Sequence, residues 1–443
     1  MSNFLWGAAT AAYQIEGAAK KGGRTPSIWD TFAETPGKIH NGDTGDIACN
    51  HYELLESDLD LMQEMGLKAY RFSISWSRVL PGPDNQINPE GIDFYNRLID
   101  GLLARGITPF LTMYHWDLPQ YLHEKGGWNS RESVDWFAEY TQVLINNFGD
   151  RIRYWITINE PHCIAWFGYY RGWFAPGITD LQTSLNVAHH LLLAHGTATQ
   201  LIHSHIPHAI VGIAPGLTPV YPATQSPEDV AAAEFMHAYD IAWFLDPVFA
   251  RGYPIKALER FGITPPILAG DMEIIGTPID FLGVNFYLRQ VIKSNPTSDF
   301  FGVDGVDTLG TPVTGMGWEI NPEALTDLLV KLSDEYPIKE IFITENGSAW
   351  PDELSNGEVN DGNRLKYLRN HLAAVEKAIE SGVPVHGYFA WSLFDNFEWT
   401  HGYSKRFGIV YVDYPTQARI IKSSGLWYSQ HIKDAIRLPP TRR

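Results

Sequence analysis

The stretch "WITINEPHC", residues 155–163, decides how the chain is read. Trp155 to Asn159 is a short apolar run with one Thr, the pattern of a strand buried on both faces. Such a strand ordinarily closes in Gly, Asp or Ser. Here it closes in Asn159-Glu160-Pro161, and Pro161 has no N–H to continue a ladder. A buried strand therefore delivers a carboxylate to its end. The device recurs in "IFITENGSA", residues 341–349, where Glu345 closes a second apolar run.

Working outward, six more apolar runs occur, at 4–10, 68–74, 107–113, 210–216, 281–287 and 385–393. With 154–159 and 341–346 they make eight. Helical patterns separate them at 53–66, 90–106, 132–149, 182–205, 228–250, 321–335 and 362–381. Eight strands alternating with helices fit a (β/α)8 TIM barrel. A doubly wound open sheet is the competitor, but it would need a Gly-rich phosphate turn after a strand, and none is present. No linker or low-complexity segment divides the chain, so residues 1–443 read as a single catalytic barrel domain. The surplus length falls at 31–52, 114–130, 160–180, 288–318 and 394–424. These are long loops at the C-terminal face of the strands, where such a barrel builds its active site.

Composition narrows the function classes. The 443 residues are 44% hydrophobic and 19% charged, as in a soluble globular protein. The net charge of −18 opposes binding to nucleic acid or an anionic membrane. No run reaches the roughly 18 apolar residues of a membrane helix. "MSNFLWGAAT" lacks the basic and long apolar regions of a signal peptide. Cys49 and Cys163 do not suggest a disulfide framework, so a reducing, cytoplasmic compartment is expected. An oligomer is possible.

Strands four and seven lie on different sides of a barrel, so Glu160 and Glu345 can converge on one pocket. Two carboxylates flanking a pocket suit glycoside hydrolysis, with one protonated and the other ionised. Arg71, in the buried run 68–74, needs an anionic partner. Beside Glu345 it would keep that carboxylate charged, and the charge would raise the pKa of Glu160. The bland alternative is two ordinary buried ion pairs. The repetition, each Glu beside an Asn at a strand end, favours the chemical reading.

"FLWGAATAAYQIEGA" (4–18), "YRFSISWSR" (70–78), "YHWDLPQ" (114–120), "TINEP" (157–161), "GVNFY" (283–287), "ITENG" (343–347) and "WSLFDNFEWTHGYSKRFG" (391–408) together resemble glycoside hydrolase family 1, the β-glucosidase family. The resemblance runs from residue 4 to about 429. It implies a retaining double displacement on β-glucosides and short cello-oligosaccharides, hence a place in cellulose degradation. Glu345 resembles the nucleophile and Glu160 the acid/base. Gln14, His115, Asn159 and Glu398 resemble the set that binds sugar hydroxyls. Trp116, Trp391, Trp399 and Phe407 resemble the surrounding aromatic walls. Asn285 and Tyr287, at the end of the sixth strand, resemble substrate-binding residues; such a Tyr hydrogen-bonds the nucleophile, and Tyr287 with Arg71 is expected to hold its pKa low. Trp166 and Trp318 are candidates for the leaving-group side. No metal or cofactor is implied.

The retained Glu398 argues against phosphorylated sugars, whose hydrolases usually replace it, because its anion would repel phosphate. Two departures from the family pattern are His162, where many relatives carry Trp, and Ser348. Six histidines within 187–208 invite a zinc site, but on one helix they point in different directions. "NGS" at 346–348 is a glycosylation sequon at the strand end, where a glycan would block the pocket. Glucose is the expected glycone, with galactose or fucose open. Transglycosylation is a second possibility. A sugar-binding barrel without catalysis is the rival class, disfavoured by the presence of both Glu160 and Glu345.

Overall fold

The structure, a computed structural model, describes residues 4–437 except 85, 308 and 309. Eight strands close a barrel: β1 (Leu5–Ala9), β2 (Ala69–Ser73), β3 (Thr108–Tyr114), β4 (Tyr154–Asn159), β5 (Ile210–Ala214), β6 (Phe281–Phe286), β7 (Ile341–Asn346) and β8 (Val385–Trp391). Each pairs in parallel with its neighbour in chain order, and β8 pairs with β1. The eight sequence-derived runs match them to within two residues at each end.

The strands are apolar on both faces because both faces are covered. Inside the barrel, Ala9, Ala69, Phe110, Ile156, Ala214, Phe281, Phe342 and Phe389 form one cluster. Phe110 stacks on Tyr154 at 4.2 Å and meets Phe342 and Phe389 edge-on at 5.3 and 4.7 Å. A Cβ on Gly7 would lie 2.6 Å from the Phe389 ring, so this strand position must be glycine. The aromatic plug fills the barrel beneath the site, as side-chain layers do in this fold.

Most expected helices form where the periodicity placed them, for example Pro89–Ala104, Ser133–Phe148 and Leu181–His205. The expected helix 228–250 is helical throughout 227–248, widened by a π-type turn at Ala238–Ala242, with Pro247 in its last stretch, Trp243–Val248. A final helix, Ser423–Arg437, is absent from the sequence reading. The loops also hold more order than expected. Val220–Pro222, Gln290–Ser294 and Val303–Gly305 form a small sheet, and Val410–Asp413 pairs with Ala418–Ile421.

The loop after β8 is held by buried charge. Lys422, fully buried, contacts Asp352 at 2.5 Å and Asp395 at 2.6 Å. Arg364 pairs with Asp352, and Arg406 with Asp395. These charges neutralise one another where water is excluded, and they fix the segment that carries Glu398.

The histidines of the long helix point apart. His189 contacts Tyr253 and Asp271, His190 the Trp128 carbonyl, His195 the Thr157 hydroxyl, and His203 Asp280. No helix among the described residues is long and apolar enough to cross a membrane.

Candidate active site

The site is assembled at the C-terminal ends of the strands. Arg71 comes from β2, Asn159 from β4, Asn285 from β6, Glu345 from β7 and Trp391 from β8. His115 and Trp116 follow β3 directly, and Glu160 follows β4. Glu345 and Asn285 are register partners in neighbouring strands. The Glu160 N–H still donates to the Ala214 carbonyl at 2.8 Å, so the carboxylate is anchored to the sheet as the strand ends. Its backbone lies in the left-handed region, at φ 44°, as do Trp116 at 82° and Trp399 at 44°. Three non-glycine residues in this conformation around one pocket mark a site where geometry outweighs local comfort, at roughly 1–3 kcal/mol each.

One amide organises the polar floor. Asn159 Oδ1 accepts from Arg71 at 2.5 Å and from Asn285 at 3.0 Å. Its Nδ2 must then be the donor, and it lies 3.0 Å from His115 Nε2. His115 therefore accepts at Nε2 and carries its proton on Nδ1, which is buried with no protein partner. Burial and Arg71 hold this imidazole neutral. A neutral ring with one unpaired donor is suited to a sugar hydroxyl. Gln14 is similarly placed: its Nε2 donates to the Phe397 carbonyl at 2.9 Å, while its buried Oε1 lacks a protein donor.

The two catalytic candidates differ in their partners. Glu345 Oε1 accepts from Arg71 at 2.6 Å, and its Oε2 from the Tyr287 hydroxyl at 2.7 Å. Glu160 Oε1 accepts from Asn285 at 3.0 Å, and its Oε2 from the Cys163 thiol at 3.2 Å. Thr344 donates to Asn285 Oδ1 at 2.7 Å and so turns that amide toward Glu160.

Burial, and then the charge of Glu345, push Glu160 up to about 7. Glu345 departs from the sequence expectation. Its pKa is raised, not low, because burial outweighs the lowering by Arg71 and Tyr287. The two carboxyls differ in their partners: Glu160 is bound by the neutral Asn285 and Cys163, Glu345 by the Arg71 guanidinium and Tyr287. Replacing Glu345 by Gln should lower the pKa of Glu160 by about one unit or more, because the neighbouring charge is removed. Carbon-13 NMR of the labelled carboxyl follows this without turnover, and an unmoved titration would show that the groups do not interact.

Glu398 is displaced from its ordinary pKa as well. Burial, then the charges of Glu345 and Glu160, raise it to about 8. Burial therefore disfavours the charged form of Glu398 in the sugar-free site. Lys405 Nζ is occupied by the Gly315 carbonyl at 2.6 Å.

These residues surround a cavity of about 530 Å³. Its walls include His115, Trp116, Tyr287, Trp318, Trp391, Glu398, Trp399 and Phe407, with Glu160 and Glu345 exposed to it. Arg71, Asn159 and Gln14 sit behind that surface, fully buried. Trp116, Trp399 and Trp29 form a tilted stack with 4.5 Å centroid spacings, which braces the aromatic wall.

Trp166 is not on the leaving-group side. It is fully buried, stacked on Tyr239 at 4.8 Å and packed against Trp243 and Phe244. The segment Cys163–Tyr170 is a wide π-type helix, so Phe167, not Trp166, shares the cavity face with Cys163. Trp173, 57% exposed, and Phe174 complete that wall. The aromatic density of 166–174 was the visible signal; the turn that selects among its residues was not. Asn346, the sequon residue, is fully buried and donates to the Phe286 carbonyl and Tyr367, which leaves no accessible amide to glycosylate.

The family model for glycosyl hydrolase family 1 matches residues 1–435. A 1,4-β-D-glucan glucohydrolase of Thermotoga neapolitana is 49% identical to the chain, over 97% of each. The β-glucosidase A of Thermotoga maritima is 48% identical, again over 97% of each. The solved structure of the T. maritima β-glucosidase in complex with deoxynojirimycin superposes with a TM-score of 0.95 at 48% identity, covering 98% of each chain.

Proposed function

The chain belongs to glycosyl hydrolase family 1, and from that premise we propose that it is a retaining β-glucosidase acting on terminal β-D-glucosyl residues of β-glucosides and short cello-oligosaccharides. The observation that carries this reading is the placement, on one cavity, of a buried Glu160 whose pKa is raised by burial and by Glu345, and of a Glu345 held by Arg71 and Tyr287.

Each step follows from the partners. Arg71 and Tyr287 occupy one lone pair on each Glu345 oxygen, which leaves others free to attack the anomeric carbon. Glu160 gives its proton to the glycosidic oxygen as that bond breaks. The product is a glycosyl ester on Glu345 and a free alcohol. The ester is neutral, so the charge that held the proton on Glu160 is gone. Glu160 then takes a proton from water, whose oxygen displaces Glu345 with a second inversion. His115, Gln14 and Glu398 are assigned to the sugar hydroxyls, and Asn159 to the 2-hydroxyl, as the bottom of the pocket.

Room for more than one sugar ring supports the oligosaccharide part. A second cleft of about 660 Å³ adjoins the first and shares Leu288, Gln290 and Trp318 with it. The whole chain is assigned as one catalytic domain. Two unbridged, buried cysteines fit a reducing, cytoplasmic setting.

A panel of nitrophenyl β-glycosides with cellobiose tests the reading, with proton NMR of the first-formed anomer. Release of β-glucose first is expected; α-glucose first would exclude retention. In the same panel, Glu398→Ser should lower kcat/KM on glucosides by on the order of 10²-fold, since two sugar hydroxyls lose a partner. It should also narrow the preference over 6-phosphoglucosides. A wild-type enzyme that already prefers the phosphorylated sugar would overturn the assignment.

A further inference from the structure

We propose that Glu160, His162 and Cys163 form a binding site for a thiophilic divalent cation, Zn²⁺ or its probe Cd²⁺, and that its occupation switches off the acid/base. The three side chains each offer one ligand atom, and these atoms lie within 4.8 Å of one another. Cys163 Sγ is 3.2 Å from Glu160 Oε2 and 3.2 Å from His162 Nε2. A tetrahedral zinc ion, with Zn–S about 2.3 Å and Zn–N about 2.0–2.1 Å, holds its ligand atoms about 3.3–3.6 Å apart. The two edges that meet at Cys163 Sγ need lengthen by only a few tenths of an ångström to match that spacing.

The cluster offers a cation one thiol, one imidazole and one carboxylate, and the ion must displace a thiol proton that burial and Glu160 hold. With the imidazole proton on Nδ1, a single thiol proton faces two acceptors, Glu160 Oε2 and His162 Nε2. His162 Nδ1 is buried without a protein partner. All three residues line the catalytic cavity, which leaves the fourth position to water. Three protein ligands of the N, O and S types with one open position is the pattern of an accessible zinc site. On binding, the S–H bond is replaced by S–Zn, and the thiol proton passes to solvent together with any proton on Glu160. No electron changes hands. A Glu160 oxygen held by the ion is no longer able to protonate the glycosidic oxygen.

The cation site stands on geometry alone, whereas the loss of activity rests on the acid/base role proposed above. The test separates them. The tag-free full chain is titrated with Zn²⁺ by calorimetry and with Cd²⁺ by ultraviolet absorption. One equivalent should bind, with a cadmium–thiolate charge-transfer band and an inhibition that tracks occupancy and reverses with EDTA. His162→Gln and Cys163→Ala should each weaken binding by on the order of tenfold or more. The band should vanish in Cys163→Ala and persist in Cys49→Ala. Any binding to the helix histidines His203 and His205 gives no thiolate band. Absence of the band in the wild type, its survival in Cys163→Ala, or unchanged affinity in both variants would overturn the site. Binding without inhibition would overturn the coupling to Glu160.

Discussion

Glu345→Ala should lose hydrolysis by on the order of 10⁴-fold or more on every β-glucoside, whatever the leaving group. The loss is uniform because the nucleophile forms the bond on which both half-reactions depend. Removing it also leaves space on the side of the pocket bounded by Arg71 and Tyr287, whose donors previously met the carboxylate at 2.6 and 2.7 Å. Azide is an anion and a nucleophile that suits this vacancy. With an activated glucoside it should attack once, in place of Glu345, while Glu160 remains as acid. The product should be the α-glucosyl azide, of inverted configuration, identified by NMR. Near-wild-type turnover in this variant would remove Glu345 from the mechanism, and a β-azide would put the attack on the wrong face.

Glu160→Ala should divide substrates by leaving group. A dinitrophenolate departs without a proton, so kcat/KM on dinitrophenyl glucoside should fall less than about tenfold. Cellobiose and alkyl glucosides need the proton and should fall by roughly 10²–10⁴-fold. Steady-state kcat on the activated substrate should nevertheless drop, because water then attacks the glycosyl-enzyme without a base. Azide, which needs no base, should restore that kcat and give the β-glucosyl azide. The two variants thus yield azides of opposite configuration from one substrate. An equal loss of kcat/KM across leaving groups would deny Glu160 the role of acid.

The strands were legible because burial on both faces leaves short, mostly apolar runs between helical patterns. Glu160 and Glu345 stood out as carboxylates delivered to the ends of two such runs. What escaped was geometry set by backbone that sequence does not index. The π-type turn through Cys163–Tyr170 directs Phe167 to the cavity and Trp166 to the core. No heptad or alternation reports such a turn. The thiol contact of Cys163 to Glu160 was invisible for the same reason. The pKa of Glu345 was misjudged because partners were counted and burial was not. Arg71 and Tyr287 were both correctly placed beside it, yet burial is the larger influence. The final helix Ser423–Arg437 does carry an amphipathic pattern, with Tyr428 and Ile432 one turn apart and buried, but it lies beyond the last strand and loop to which the barrel pattern was fitted.

The three carboxyls of the pocket also set a limit on how firmly the folded chain holds together in alkali. In the unfolded chain Glu160 titrates near 4.5, whereas in the folded one it does so near 7; Glu398 is raised to about 8. Between those values the native state keeps protons that the unfolded state has released. Stability therefore falls as pH rises through this window, by about 1.4 kcal/mol per pH unit for each group so displaced. The pocket that confers reactivity acts as a built-in weakness of the fold above neutrality. Glu160→Gln, which carries no ionisable proton, should melt above the wild type near pH 8, and the advantage should disappear near pH 4. Calorimetric Tm values across that range decide it, and a gain independent of pH would point to packing instead of proton linkage.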